Sequence, residues 1–478
     1  MSKPDTSLPS RRQLQSIPLN FDNPAFEADS NYHAVEIKSG IGGQLDVDKA
    51  YDPHDYCSVE HPTSFWGTVF HTIILMAGPG VLSIPILFVE AGYLTSTILM
   101  PCLFYLYMHN AKMLVWSEYQ LCRILKKPTL PYPEVVHDTF KEGPKFSQWF
   151  SKWSRRLTYL VFFIVWYSYY CYNYVIVCQN LQVLWRNMFH EEISVNIFLE
   201  IFIVPMLILG CIPKLKYLVP ISFLGTICHG LSLILIMYFI FTDPSPWSTP
   251  PMIGHWSNIP ILMGSVLLSV NISGILIKLK NEMQEPRRFT STWFSVITVS
   301  FVPTSFLYAG FCLICALKYG KSIQPSVIQN LPQNDFFAQI GIALSSIAII
   351  CQQPFGLIVS YDVIWNLING KVQHSKHSMV WEYILKVVLV FLAFIISIAL
   401  PNIFLFISLG GSVGTSIDSL ILPAAVCTIM KWKIFGNEGK FWFIFSKNFI
   451  IILLAIVLAI FGCSDCINQI MEYYFNQS

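Results

Sequence analysis

His71-Thr-Ile-Ile-Leu-Met-Ala-Gly78-Pro79-Gly80-Val-Leu-Ser83-Ile-Pro85 is the stretch on which the fold turns. With its flanks it is apolar for long enough to cross a bilayer, since a hydrocarbon core about 30 Å thick needs roughly 20 apolar residues per helix. Its middle cannot hold a regular helix: Pro79 has no N–H to donate, and both Gly78 and Gly80 favour coil. A backbone break inside a membrane is tolerated only where the freed groups face protein or a water-filled cavity. Two readings follow. One is a plain kink packed on a neighbour. The other is an unwound point whose half-helix ends offer a positive dipole to a carboxylate and free carbonyls to an ammonium or ion.

Working outward, the 478 residues are 54% hydrophobic and 12% charged, against about 25% charged in a soluble domain. No soluble surface can be built from so few charges, which disfavours nucleic-acid binding, secreted disulfide scaffolds and soluble enzymes. The net charge of +2 gives no bulk steering toward an acidic partner. Most of the 13 Cys lie inside apolar runs, where a thiol behaves as a small hydrophobe. Eleven apolar stretches are expected to span: about 66–88, 94–115, 157–183, 195–212, 217–241, 258–279, 292–317, 337–366, 382–400, 403–430 and 442–463. The expected organisation is a polar, mostly disordered cytosolic tail over 1–60, a membrane domain over 61–464, and a short extracellular or luminal tail over 465–478. With the amino terminus inside, eighteen Lys and Arg fall in cytosolic connections, against Arg186, Lys318 and Lys321 outside.

No HExxH, GxSxG, Walker A or strand-borne GxGxxG occurs, so no catalytic or metal-binding residues are assigned and the chain is not expected to be an enzyme. Cys463-Ser-Asp-Cys466 has no second pair and reads as a local disulfide or two unpaired thiols. The sixth span supplies a partner for the first: Asn271, Ser273 and Gly274 interrupt an otherwise uncharged run. Spans one and six open two five-helix halves, as in an inverted repeat of five plus five with one helix added, and broken helices in corresponding halves point to a transporter site. The substrate-binding candidates are therefore Gly78, Pro79, Gly80, Asn271, Ser273 and Gly274. Tyr167, Tyr170 and Tyr174 share one face of the third span and read either as packing or as a cavity wall. Ionisable residues within spans are functional candidates. Among His71, His109, His229, Asp362 and Asp418, the last is deepest and lies beside Ser416 and Ser419. Asp418 and His71 are the proton-coupling candidates; His229 reads as structural and Asp362 as a hydrated helix end.

Several segments resemble, in order and spacing, the insect-type proton-coupled amino acid transporters of the amino acid/auxin permease group. They are Tyr51-Asp-Pro-His-Asp-Tyr-Cys-Ser-Val-Glu-His-Pro-Thr63, His71 with Gly78 and Gly80, Met108-His109, Lys126-Lys-Pro-Thr-Leu-Pro-Tyr132, Asn281-Glu-Met-Gln-Glu-Pro-Arg-Arg-Phe289, Asn330-Leu-Pro-Gln333 and Ile407-Ser-Leu-Gly-Gly-Ser-Val413. The resemblance covers roughly 50–430. It implies an all-α, LeuT-like fold of eleven spans and symport of protons with small neutral amino acids, with no cofactor beyond the proton as coupling ion. It links the His at His71 to proton coupling and places substrate between spans one, three, six and eight. The chain departs from that pattern at Ile74-Leu-Met76, where the family has Lys-Gly-Asn. It departs again at Lys278-Leu-Lys280-Asn281, where Pro-Leu-Glu-Asn would carry the opposite charge, and 184–194 holds no Cys for the family's outer disulfide.

The function expected is secondary active transport of small neutral amino acids by alternating access, in a plasma, lysosomal or vacuolar membrane. The rival is a non-transporting amino acid sensor on the same fold. The partners expected are the amino acid, protons and membrane lipid, with no nucleic acid. Phe21-Asp-Asn-Pro-Ala-Phe26 resembles an endocytic adaptor signal, and Asn476-Gln-Ser478 has the form of a glycosylation sequon.

Overall fold

The structure, a computed structural model, describes residues 51–475 apart from 58, 213, 291–292, 333, 373–377, 400–412 and 436–438. The Phe21–Phe26 signal and the Asn476 sequon lie outside the described residues, as does 403–412, the start of the expected tenth span.

The described backbone is helical. Helix α1 (Phe65–Met76) begins where the Ser64 hydroxyl accepts from Gly67 N–H at 3.1 Å, and a bend of 50° separates it from α2 (Gly80–Glu90). Then come α3 (Tyr93–Leu125), α4 (Tyr132–Glu142), α5 (Lys145–Phe189), α6 (Val195–Gly210) and α7 (Leu215–Thr242). A second break at 270–272 separates α8 (Asn258–Ser269) from α9 (Ser273–Asn281). After α10 (Val296–Tyr319), α11 (Phe336–Val372) and α12 (Ser378–Ala399), a π-helical turn over Ser416–Ile421 leads into α13 (Leu422–Phe435), and α14 runs Gly439–Phe475. Among the described residues, eight helices are long and apolar enough to cross a membrane, with α8 and α9 counted as one; the bent α1–α2 pair makes a ninth, and α6 is a shorter apolar helix.

Three boundaries differ from the sequence expectation. The basic stretch 116–156 is mostly helical: α3 runs on to Leu125, α4 fills its middle, and α5 starts at Lys145. Lys, Arg and Gln are good helix formers in water, so the helices continue beyond the hydrocarbon. The described part of 51–60, read as the end of a tail, packs with the membrane domain: Asp52 caps a turn over Pro53–Asp55 and pairs with Arg287, and beyond it Thr63 pairs with the backbone after α9. Finally α14 continues through 465–475, and Cys463 within it is a free thiol.

One buried core threads α1, α2, α3, α8, α9 and α10; a second joins α5, α6, α11 and α12. Large apolar side chains such as Ile98, Tyr105, Ile208, Ile234, Phe306 and Phe443 face outward on many helices. Those surfaces suit lipid and not water.

Candidate functional site

At the first break the backbone is held by side chains from other helices. An α-helix leaves its last carbonyls without intrahelical partners. Here Gln352 Nε2 on α11 donates to Leu75 O at 2.6 Å, and the Tyr308 hydroxyl on α10 lies 3.3 Å from Met76 O. His229 Nε2 stands 3.0 Å from that same hydroxyl, which gives His229 the structural role expected of it. Gly78 packs beneath Tyr169: a Cβ there would stand 2.4 Å from the Tyr169 hydroxyl. Pro79 leads into α2, whose first residue is Gly80.

The second break is the centre of a buried polar network. Asn271 Nδ2 donates to Asp418 Oδ2 at 3.2 Å, and Ser419 Oγ donates to Asp418 Oδ1 at 2.7 Å. Asn271 Oδ1 accepts from the Tyr107 hydroxyl at 3.1 Å and from Ser273 N–H at 3.0 Å, and lies 3.2 Å from Ser419 Oγ. The Tyr107 hydroxyl accepts from Ile272 N–H at 2.7 Å and lies 2.8 Å from Ser273 Oγ. Tyr132, at the start of α4, donates to the Asp418 carbonyl at 2.6 Å. The unwound residues of span six are thus tied to α3 and to the π-turn before α13. Asp418 is fully buried, and no Lys, Arg or His pairs with its carboxylate among the described residues. Gly274 opens the face of α9 to α5: a Cβ there would stand 2.2 Å from Trp166 Nε1.

His71 is fully buried and joins α1 to α7. Its Nδ1 lies 2.7 Å from Ser222 Oγ, and its Nε2 lies 3.1 Å from the Leu215 carbonyl. A carbonyl only accepts, so Nε2 carries a proton, and Nδ1 accepts from Ser222 while the ring is neutral.

One end of this arrangement is closed. Thr63 N–H donates to Glu282 O at 2.8 Å, and Gln284 N–H donates to Thr63 O at 2.9 Å. Arg287 pairs with Asp52 at 2.7 Å and Asp55 at 2.9 Å, and Lys278 pairs with Asp362 at 2.6 Å. Lys280 pairs with Glu118, both side chains being buried. His54 lies in the same cluster, where burial and then the nearby Lys280 lower its pKa to about 4. Toward the opposite end, a cavity of about 620 Å³ is bounded by Pro79, Ser83, Tyr172, Arg186, Gln324 and Asn330.

The structure brings Gly78, Pro79, Asn271, Ser273 and Gly274 to the two breaks and sets Asp418 against the second. It turns the expected tyrosine face elsewhere. The Tyr167 hydroxyl donates to Leu389 O on α12 at 2.8 Å, and the Tyr174 hydroxyl donates to Leu199 O on α6. Both lie in the second core, because that stripe is the one that packs α5 on its scaffold neighbours. The neighbouring stripe, with Trp166 and Tyr169, meets the breaks. Tyr170 lies between: its hydroxyl, the Trp166 indole N–H and both polar atoms of the Gln353 amide are buried without a partner among the described residues. Tyr107, Glu118 and Gln352 were not singled out in the sequence. Tyr107 and Glu118 share α3 with other polar residues and Gln352 is followed by Gln353, so no sequence signal sets them apart. Asp362, about one-third exposed, is also an ion-pair partner of Lys278.

Over 426 residues, 89% of each chain, the protein is 26% identical to the proton-coupled amino acid transporter-like protein pathetic of Drosophila melanogaster. Over 207 residues, 40% of this chain and 27% of the other, it is 23% identical to vacuolar amino acid transporter 4 of Saccharomyces cerevisiae. Its fold matches the crystal structure of MhsT in complex with L-phenylalanine with a TM-score of 0.52 at 13% identity, covering 85% of this chain and all of that one. The family described as transmembrane amino acid transporter protein matches residues 61–468. The chain, a multipass helical membrane protein with two broken helices at its centre, belongs to that family of amino acid transporters.

Proposed function

We propose that the protein is a proton-coupled secondary transporter of small neutral amino acids. It has eleven spans, five plus five related by inversion and one added, with its amino terminus in the cytosol. The observation that carries this reading is the meeting of two helix breaks beside buried, unpartnered polar atoms on α5 and α11. The N-terminal ends of α2 and α9 are electropositive and suit the carboxylate of an amino acid. Among the described residues Asp418 is the one acidic or basic side chain tied into the second break, and its carboxyl group is already engaged by Asn271 and Ser419, which favours a neutral substrate. Close packing at Gly78 and Gly274 favours a small one. The names of the Drosophila and yeast relatives, and the L-phenylalanine bound by MhsT, support an amino acid as cargo.

In this orientation the closed end, with 51–64 zipped onto 281–289, faces the cytosol, and the cavity lies toward the outside. His71 is the coupling group on the cytosolic side of the break. Separation of α1 from α7 breaks its bonds to Ser222 and Leu215 and lets water reach a ring whose ordinary pKa is near 6.5. Asp418 is the second coupling candidate. A carboxylate in hydrocarbon is costly unless paired or hydrated, so a proton there would relieve its charge.

The test is uptake of a panel of radiolabelled amino acids into proteoliposomes of the purified full chain, with and without an inward proton gradient. Accumulation driven by the gradient supports the reading. Saturable binding without accumulation identifies the sensor instead, and accumulation indifferent to the gradient removes proton coupling.

A further inference from the structure

Away from the breaks, three basic side chains meet at one level. They are His109 and Lys112 on α3 and Lys447 on α14. Lys447 Nζ lies 2.7 Å from His109 Nε2 and 3.6 Å from the sulfur of Met113, while Lys112 Nζ donates to Thr298 Oγ1 on α10 at 3.2 Å. Two cations do not sit in hydrogen-bond contact, so His109 is the neutral acceptor that holds Lys447 in place. Lys431, at the end of α13, adds another positive charge, with its ammonium 3.6 Å from the centroid of the Trp116 ring one turn beyond Lys112.

This cluster is unlike the other lysines packed among these helices. Lys278, Lys280, Lys318, Lys386 and Lys433 each pair with a carboxylate; none of the ion pairs among the described residues includes Lys112 or Lys447. Cations in a bilayer are paired, snorkel to the interface or mark a function. The depth is that of an interface. Helix α3 has 33 residues, about 50 Å at 1.5 Å per residue. A core about 30 Å thick that begins near Tyr93 therefore ends near Met113. On α14, Trp442, Phe443 and Phe445 are exposed just before Lys447, as in an aromatic interfacial belt. His109, Lys112 and Lys447 are themselves partly exposed and not sealed in protein.

We infer that the partly exposed surface around His109, Lys112 and Lys447 is a binding site for an anionic phospholipid headgroup, whose phosphate oxygens bridge Lys112 and Lys447 while the acyl chains lie along the apolar faces of α3 and α14. A phosphate supplies the counter-charge that no ion pair among the described residues gives Lys112 or Lys447, in charge-assisted contacts with both ammonium groups. Basic pockets between helices on the cytoplasmic side recognise such headgroups. The site is independent of the substrate and coupling readings; only its assignment to the cytosolic leaflet rests on the orientation proposed above.

The test uses the purified full chain, delipidated into neutral detergent and titrated with phosphatidylserine or phosphatidylcholine, with bound lipid counted by native mass spectrometry. Wild type should retain phosphatidylserine in preference to phosphatidylcholine. Lys112→Gln with Lys447→Gln should weaken that retention about thirtyfold, the loss of two lysines at a charged surface. Lys112→Arg with Lys447→Arg should keep it, and so should Lys145→Gln with Lys152→Gln on the exposed start of α5. Equal retention of the two lipids by wild type overturns the proposal without any variant. Undiminished retention by a monodisperse Gln double variant also overturns it, as does displacement of the lipid by millimolar inorganic phosphate, which would mark a water-soluble anion pocket. Lys447→Gln alone serves if the double variant does not fold, with a loss of about fivefold required, that of one lysine.

Discussion

Replacing Lys280 by Met tests the closed end of the protein. Lys280 ends α9 and pairs with Glu118 on α3, the two side chains being 5% and 1% exposed. Cys122 Sγ also donates to the Glu118 carboxylate, at 3.6 Å. Lys280→Met strands a carboxylate in the interior, and breaking a buried pair from one side costs about 3–5 kcal/mol. Glu118→Gln strands the ammonium and should cost a similar amount. Replacing both by apolar residues of like volume should return most of that stability, because both desolvation penalties vanish together. The swap Glu118→Lys with Lys280→Glu should recover part of it. The assay is unfolding of the purified protein in mixed micelles, followed by tryptophan fluorescence and analysed as a double-mutant cycle. A Lys280→Met protein within about 0.5 kcal/mol of wild type, the range of an ordinary surface substitution, would refute the pair's structural role.

Gly274→Ala places a methyl 2.2 Å from Trp166 Nε1. Overpacking of this kind costs about 1–3 kcal/mol, so uptake should fall about tenfold with the protein still in its membrane, and Trp166→Phe should restore part of it. His71→Ala removes the link from α1 to Ser222 and Leu215. It should abolish gradient-driven accumulation while exchange at equal pH persists; full gradient-driven accumulation by a normally trafficked variant would rule out His71 as the essential coupling group. Asp418→Asn keeps the shape of the network and removes its charge. It should flatten the dependence of uptake on pH, and an unchanged profile at every pH would leave the residue a structural hydrogen-bonding role.

Lys280 also shows where reading a chain stops. In the sequence it is a reversed charge against the resembling family, with Glu282 and Glu285 as its nearest carboxylates; the partner is Glu118, 162 residues away. The tyrosines of α5 teach the same lesson on a smaller scale. Their helical spacing fixes that Tyr167, Tyr170 and Tyr174 share a face. Only the placement of α6 and α12 shows that this face packs inside the scaffold, while Trp166 and Tyr169 meet the breaks.

The sequence by itself determined the membrane class, most of the spanning helices and both break points. These follow from local chemistry: apolar runs of bilayer length, Gly78-Pro79 at the first break, and at the second Asn271, whose side chain competes for backbone hydrogen bonds. It also marked His71 and Asp418, because an ionisable group in an apolar run is conspicuous wherever the run goes. Only the tertiary structure decided which groups satisfy the freed carbonyls of Leu75 and Met76, and which asparagine and serine hold Asp418. It alone closed one end of the protein with residues 51–64. Hydrogen bonds and ion pairs act over about 3 Å, and the chain brings their partners together only when helices far apart in sequence pack side by side.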